Sequence, residues 1–243
     1  SKMTNGEKRF ARRLQSHLED DYLCWFEIPV GKKRRYTDFI ILHPNRGILL
    51  LEVKDWKLEN IERGDRLHFD VHTNTGIKSL TNPIEQARQC AYMLNGQLSR
   101  DPQLVHQEGQ HKGKILCPWG YGAVFSNITR SKFDQIEDAY EIIPEHMVIF
   151  QDEMTESVSV EDFQERLWQM FNQNFNFRQL TVPQIDRIRW HIFPEIRIIQ
   201  KSLFDKEDSS EEVEEQIATI EDSLKVFDLQ QEKVARNLGE GHR

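Results

Sequence analysis

Apolar positions along the chain change period several times, and each change marks an element. Phe10, Leu14 and Leu18 recur every four residues, the spacing that lines side chains along one helical stripe. Just ahead of them, Thr4-Asn5-Gly6-Glu7 carries the Thr-x-x-Glu spacing of a capping box, so a helix is predicted to start here. Cys24 to Val30 reads as a strand stopped by Gly31. Tyr36 to Leu42 and Ile48 to Lys54 are two more strands, joined by the turn His43-Pro44-Asn45-Arg46-Gly47 and predicted to pair as a hairpin. Phe39 and Ile41 alternate with Ile40 and Leu42, and Leu49 and Leu51 with Ile48 and Leu50. Strands apolar on both faces belong in a sheet covered on both sides.

Further along, Arg66 to Val71 offers another strand. Asn82-Pro83 opens a helix with Ile84, Ala87, Ala91, Leu94 and Leu98 on one stripe and Pro83 in its first turn. A polar loop covers 100–114. Tyr121 to Phe125 and Met147 to Phe150 are predicted strands separated by a short helix, and Val160 to Phe171 and Val182 to Ile192 are predicted helices. Strand–helix–strand order after a hairpin predicts an α/β fold, with a mixed central sheet flanked by helices.

Composition narrows the setting. A chain of 243 residues, 30% of them charged, accommodates one sizeable core with appendages. No apolar run approaches the roughly 18 residues of a membrane helix, and no secretory-type apolar stretch follows Ser1-Lys2-Met3-Thr4. Cys24, Cys90 and Cys117 are far apart and odd in number. They argue against zinc or disulfides and for small buried hydrophobes in a reducing cytoplasm.

The net charge of −8 is unevenly spread. Between Asp205 and Asp222 nine acidic residues face only Lys206, which accounts for the whole excess, so 201–226 reads as an acidic linker or exposed helix. Basic residues gather early, at Lys8, Arg9, Arg12 and Arg13 and again at Lys32, Lys33, Arg34 and Arg35. A local basic run can attract phosphates even on an acidic protein; a solvated hairpin tip is the other reading of 32–35.

Chemistry concentrates in the hairpin. Strand alternation places Glu52 and Lys54 on one side, with Leu51 and Val53 on the other, and the hairpin brings Asp38 beside them. Two acids and a lysine thus converge on an apolar sheet, where buried charges need each other or a metal. Hard oxygen ligands suit Mg²⁺, with Asp38, Glu52 and the Val53 carbonyl as the candidate set. Such an ion polarises a phosphoryl oxygen and acidifies a bound water. Lys54 is placed to orient that water or to stabilise charge developing on phosphorus. The competing reading has Asp38 and Glu52 as strand ends reaching solvent, with Lys54 as an ion-pair partner.

Three blocks in order carry a resemblance: Gly6-Glu7-Lys8-x-Phe10, Tyr36-Thr37-Asp38-Phe39 and Leu51-Glu52-Val53-Lys54-Asp55-Trp56. Together they resemble the NERD (nuclease-related) domain of the PD-(D/E)xK nuclease superfamily, most densely over 5–56 and extending to about 200. The resemblance implies a restriction-endonuclease-like core, Mg²⁺- or Mn²⁺-dependent phosphodiester hydrolysis, and motif roles for Asp38, Glu52 and Lys54. Similar nucleases often carry a first-helix glutamate that reaches the metal; Glu7 matches it, and equally closes the capping box on Thr4. RecB-like members carry a Gln four residues before a Tyr on the helix after the Glu-x-Lys strand. Here Arg88, not a glutamine, stands four before Tyr92. Gln86 therefore reads as an ordinary solvent-facing position, with a DNA contact by Gln86 or Arg88 as the alternative. His68 and His72 share a strand face without a third ligand and read as structural or exposed.

Phe227 to Ala235 resembles the segment before the P-loop of UvrD-like superfamily-one helicases, where Gln231 matches the adenine-reading glutamine; Asp228 stands where those proteins often have Asn. No Gly-x-x-x-x-Gly-Lys-Ser/Thr occurs. The expected organisation is a nuclease-like domain over 1–200, the acidic linker 201–226, and 227–243 as the start of a helicase domain continuing beyond Arg243; an ordinary terminal helix from Leu229 to Leu238 is the other reading of the tail. The expected function is metal-dependent cleavage of DNA delivered by a linked helicase, in DNA processing, repair or defence. A nuclease-like module that docks DNA or a protein without cutting is the alternative, and an RNA substrate stays open.

Overall fold

The computed structural model describes residues 3–31, 35–171 and 177–194. The chain divides into two units, Ser1–Pro194 and Glu195–Arg243. The second lies outside the described residues, as do Lys32, Lys33 and Arg34, so the acidic stretch, Gln231 and most of the basic run are not described.

Helix α1 (Asn5–His17) starts where the capping box predicts. Thr4 Oγ1 accepts from the Glu7 N–H at 3.3 Å, and Glu7 Oε2 accepts from the Thr4 N–H at 2.7 Å. Strands β1 (Leu23–Val30), β2 (Arg35–His43) and β3 (Gly47–Lys54) form an antiparallel meander with Trp25 opposite Ile40 and Phe39 opposite Leu51. Its β2–β3 turn needs Gly47, whose φ is 108° and where a Cβ would lie 2.1 Å from the Pro118 carbonyl oxygen.

A second, three-stranded antiparallel sheet follows: β4 (Ile61–Gly64), β5 (His68–Thr73) and β6 (Gly76–Thr81). Then come α2 (Pro83–Leu98), β7 (Trp119–Phe125), the single-turn α3 (Arg130–Phe133) and α4 (Ala139–Ile142), β8 (Val148–Phe150), α5 (Val160–Trp168) and α6 (Val182–Ile192). Strands β7 and β8 join β3 in parallel, giving a mixed five-stranded sheet of order β1-β2-β3-β7-β8. The fold is α/β, with helices on both faces of that sheet.

The two apolar faces of β2 and β3 explain the layering. Ile40, Leu42, Ile48 and Leu50 pack with Ile84, Ala87, Ala91 and Leu94 of α2 and with Phe69 and Val71 of β5. Phe39, Ile41, Leu49 and Leu51 pack instead with Phe10 and Leu14 of α1 and Phe163 and Leu167 of α5. Among the described residues no helix is long and apolar enough to cross a membrane.

Several expectations are corrected. The strand predicted from Arg66 starts at His68, because the Asp65 carboxylate accepts from both the Leu67 and His68 N–H groups at 2.7 Å and holds a turn there. It joins the small sheet, so His68 and His72 sit exposed while Phe69 and Val71 point inward. The link between β7 and β8 holds two single helical turns, and Met147 belongs to a 3₁₀ turn. Helix α5 ends at Trp168, before Phe171. Cys90 and Cys117 are buried, but Cys24 is exposed on the edge strand β1.

Helix α6 is tied down by one buried acid. Asp101 is 2% exposed, and its Oδ2 accepts from Arg187 Nε at 2.7 Å and pairs with His191 Nε2 at 2.8 Å, while its Oδ1 accepts from the Gln103 N–H at 3.0 Å. Burial alone would push this carboxyl up, but those bonds bring it down to about 2. A folded-state pKa below the ordinary 3.8 contributes stability above about pH 4 that is lost as the pH falls towards 2. Asp101→Asn is expected to destabilise the protein by about 2–3 kcal/mol at pH 7, since it leaves Arg187 without its buried counter-charge. Urea unfolding of both proteins should show that gap narrowing below about pH 4; a gap constant with pH would mean the ion pair is not its source.

Candidate active site

The β2–β3 register places Asp38 beside the end of β3. Phe39 pairs with Leu51, and Asp38 Oδ2 accepts from the Val53 N–H at 2.7 Å. Glu52 and Lys54 project to the α2 side of the sheet, where Lys54 Nζ donates to Glu52 Oε1 at 2.7 Å. The three side chains that alternation predicted to converge do so, at the edge of the core.

Burial sets their electrostatics. Glu52 is 2% exposed, and desolvation pushes its carboxyl up to about 7, with Lys54 opposing and Asp38 adding to the rise. Desolvation also raises Asp38 above the ordinary carboxylate range, against the Lys54 charge and the Val53 N–H bond. The two carboxyl groups lie within hydrogen-bonding reach of each other. Ionised carboxylates only accept, and Glu52 Oε2 is buried with no donor to accept from. A proton or a cation between the two groups resolves that arrangement.

Helix α2 contributes a residue that the sequence placed in solvent. Gln86 is half-buried; its Nε2 donates to Glu52 Oε1, and its Oε1 accepts from Lys54 Nζ at 3.4 Å. Gln86 therefore braces both Glu52 and Lys54, a correction to the solvent-facing reading. Arg88 pairs with Glu85 at 2.6 Å, and its guanidinium lies 5.4 Å from the Tyr92 ring centroid. Tyr92 packs on Trp119, at the end of β7 away from Lys54. Neither joins the site. Arg35, the one described member of the basic run, is exposed at the start of β2, and its charge reaches Glu85.

Glu7 keeps its carboxylate on the Thr4 N–H. Burial raises its pKa, the Thr4 bond opposes this, and the fields of Asp38 and Asp55 add to the rise. It thus feels the site from the capping box without pairing there. Glu27 was not anticipated. It interrupts the β1–β2 register opposite Asp38 with a φ of 51°, and its charge raises Asp38 further. A non-glycine residue in the left-handed region is uncommon in a strand and clusters at functional sites. The readable signal was an acid inside the apolar run Trp25-Phe26-Glu27-Ile28.

A family model described as nuclease-related domain (NERD) matches residues 2–125, a span that includes α1 and ends with β7. The chain belongs to this family. Every described residue of the site falls inside the matched span, and membership gives the protein a nuclease-related function. No curated protein and no solved structure matches the chain.

Proposed function

We propose that this nuclease-related domain is a divalent-metal-dependent DNA nuclease, hydrolysing phosphodiester bonds at Asp38, Glu52 and Lys54. The observation that carries this reading is the buried Glu52 Oε2, left without a donor beside a second carboxyl group. Among the described residues no group of three or more His, Cys, Asp or Glu side chains is placed to hold a metal ion. Two carboxylates with the Val53 carbonyl suit Mg²⁺ or Mn²⁺, since Mg²⁺ takes few protein ligands and completes its shell with water and substrate phosphate. When bound, the ion supplies positive charge to a phosphoryl oxygen and acidifies a water.

The remaining work falls to the chain. Asp38, fixed on the Val53 N–H, and Glu52, fixed by Gln86 and Lys54, hold their oxygens in place. Lys54, 18% exposed, presents its ammonium to orient the attacking water or to meet charge developing on phosphorus. A linked superfamily-one helicase delivering DNA in repair or defence belongs to the same proposal and rests on the resemblance at 227–235 alone. A cytoplasmic setting rests on the cysteine usage.

The test is incubation with single- and double-stranded DNA in Mg²⁺ or Mn²⁺, beside Asp38→Ala and Lys54→Ala. Wild type should give products, and each variant should cut about 10²–10³-fold more slowly. Wild type without products, or variants that cut equally well, would overturn the proposal. DNA binding without cleavage would favour the silent docking module.

A further inference from the structure

Four basic residues lie on α1, and the structure separates them. Arg13 is 6% exposed, and its guanidinium donates to the Thr155 and Val158 carbonyls, so it fastens α1 to the segment before α5. Lys8, Arg9 and Arg12 face elsewhere. With Asn5 they stand at i, i+3, i+4 and i+7, one stripe of the helix. Together with Asp55 and Asn127 they line a groove of about 580 Å³.

The floor of this groove is held in place. Arg9 donates to Asn127 Oδ1 at 2.6 Å, and Asn127 Nδ2 donates to the Asp55 carbonyl at 2.7 Å. The one carboxylate in the lining is engaged at the helix start: Asp55 Oδ2 accepts from the Gly6 N–H at 2.9 Å, and Oδ1 accepts from the Ser126 hydroxyl. That places its charge at the N-terminus of α1, where the helix dipole favours it. Three cations thus line the groove against one acid.

Position says which anion suits them. Asp55 directly follows Lys54, and its carboxylate accepts from the Gly6 N–H of α1, so the groove opens at the end of β3 that carries Lys54, on the α1 face and round that end from the α2 side where Glu52 and Lys54 project. From Asn5 to Arg12 the stripe spans about 10 Å, matching about three nucleotides of one strand at 3.4 Å of axial rise each. We infer that Lys8, Arg9 and Arg12 form a track for the phosphodiester backbone of a DNA strand, leading it to Asp38, Glu52 and Lys54. The inference rests on the nuclease reading of that site, and it assigns the strand's path rather than the chemistry.

The experiment measures binding apart from cleavage. Affinity for a labelled DNA oligonucleotide is taken by fluorescence anisotropy over a range of salt concentrations in EDTA, with the unlabelled RNA of the same sequence as competitor. Lys8→Ala/Arg12→Ala is compared with wild type and with Lys112→Ala/Lys114→Ala, the same charge change in the exposed 106–114 loop. The groove variant should raise Kd about tenfold and flatten the slope of log K against log salt by roughly 1.5–2, the change expected when two fewer phosphates are neutralised. The loop variant should leave both near wild type, and all three proteins should melt together. Equal slopes for the groove variant and wild type, equal losses in both double variants, no DNA binding by wild type, or RNA displacing DNA at far lower concentration would each overturn the track. A wild type that binds with this dependence yet never cuts in Mg²⁺ or Mn²⁺ would leave the track standing and remove the nuclease reading.

Discussion

Glu52→Gln is expected to abolish DNA cleavage and, at pH 8 without divalent metal, to make the protein more stable. The carboxyl is buried at the end of β3, and desolvation carries its pKa from the ordinary 4.5 to about 7. A group whose folded pKa lies above its unfolded one contributes stability that is complete below the unfolded value and lost as the pH climbs through the folded value. Wild type therefore loses stability between about pH 4.5 and 7 as the chain is forced to hold an ionised Glu52 beside Asp38. A neutral glutamine of the same shape can still accept from Lys54 and Gln86 and avoids that cost. At pH 8 the gain should be about 2 kcal/mol, or roughly 4–8 °C in Tm for a domain of this size. At pH 5 the two proteins should melt almost together. Thermal melts at both pH values in EDTA decide the matter, and a variant less stable than wild type at pH 8 would show that Glu52 is held by structural partners alone. Cleavage should fall at least 10²-fold, because the amide cannot supply an anionic oxygen to a cation. Stability gained where activity is lost is the behaviour of a residue kept for chemistry rather than folding.

That combination was partly visible in the residue order. Period-two alternation fixes which side Glu52 and Lys54 take, and a hairpin with a short turn fixes which strand lies beside them, so Asp38 could be placed without coordinates. Gln86 could not be placed so directly, since its orientation depends on where α2 crosses β3. Yet Pro83 and Cys90, three residues before and four after it, are both buried, and a stripe widened to include them would have turned Gln86 towards the sheet. Glu27 depends on a local backbone twist that no periodicity carries. Two of the three strands of the β4–β6 sheet were missed because β4 and β6 are short and largely exposed, leaving little apolar alternation to read. The basic residues of α1 were more legible than their number suggested: Arg13, three after Phe10 and one before Leu14, shares the core stripe, whereas Lys8 and Arg12 do not.

Gly6→Ala should be strongly destabilising, the opposite of what helix propensity predicts. In an open helix the change is worth about 0.8–1 kcal/mol in favour of alanine. Here Gly6 is buried, and a Cβ at this position would lie 1.7 Å from Asp55 Oδ1 and 2.3 Å from Ser126 Oγ. Both neighbours are side chains, but neither is loose: Asp55 accepts from the Gly6 N–H and from Ser126, and Ser126 also donates to the Lys54 carbonyl at 3.3 Å. To admit the methyl group, either this network breaks or α1 moves away from the end of β3. Overpacking of a well-filled contact costs about 1–3 kcal/mol, and the broken bonds to a buried carboxylate add to it, so a fall of about 2–3 kcal/mol in unfolding free energy is expected. Asp55→Ala in the same chain removes the closest clash. The double variant should recover part of the loss, a coupling of about 1 kcal/mol between residues in direct contact. Additive losses, or a Gly6→Ala protein that melts above wild type, would mean that α1 is not seated on the end of β3 by this contact. The network also links function to packing, because Asp55 follows Lys54 and borders the groove that Lys8, Arg9 and Arg12 line. If α1 shifts, cleavage should fall even where the fold survives, since a displacement near 1 Å is enough to cost on the order of 10²-fold in rate.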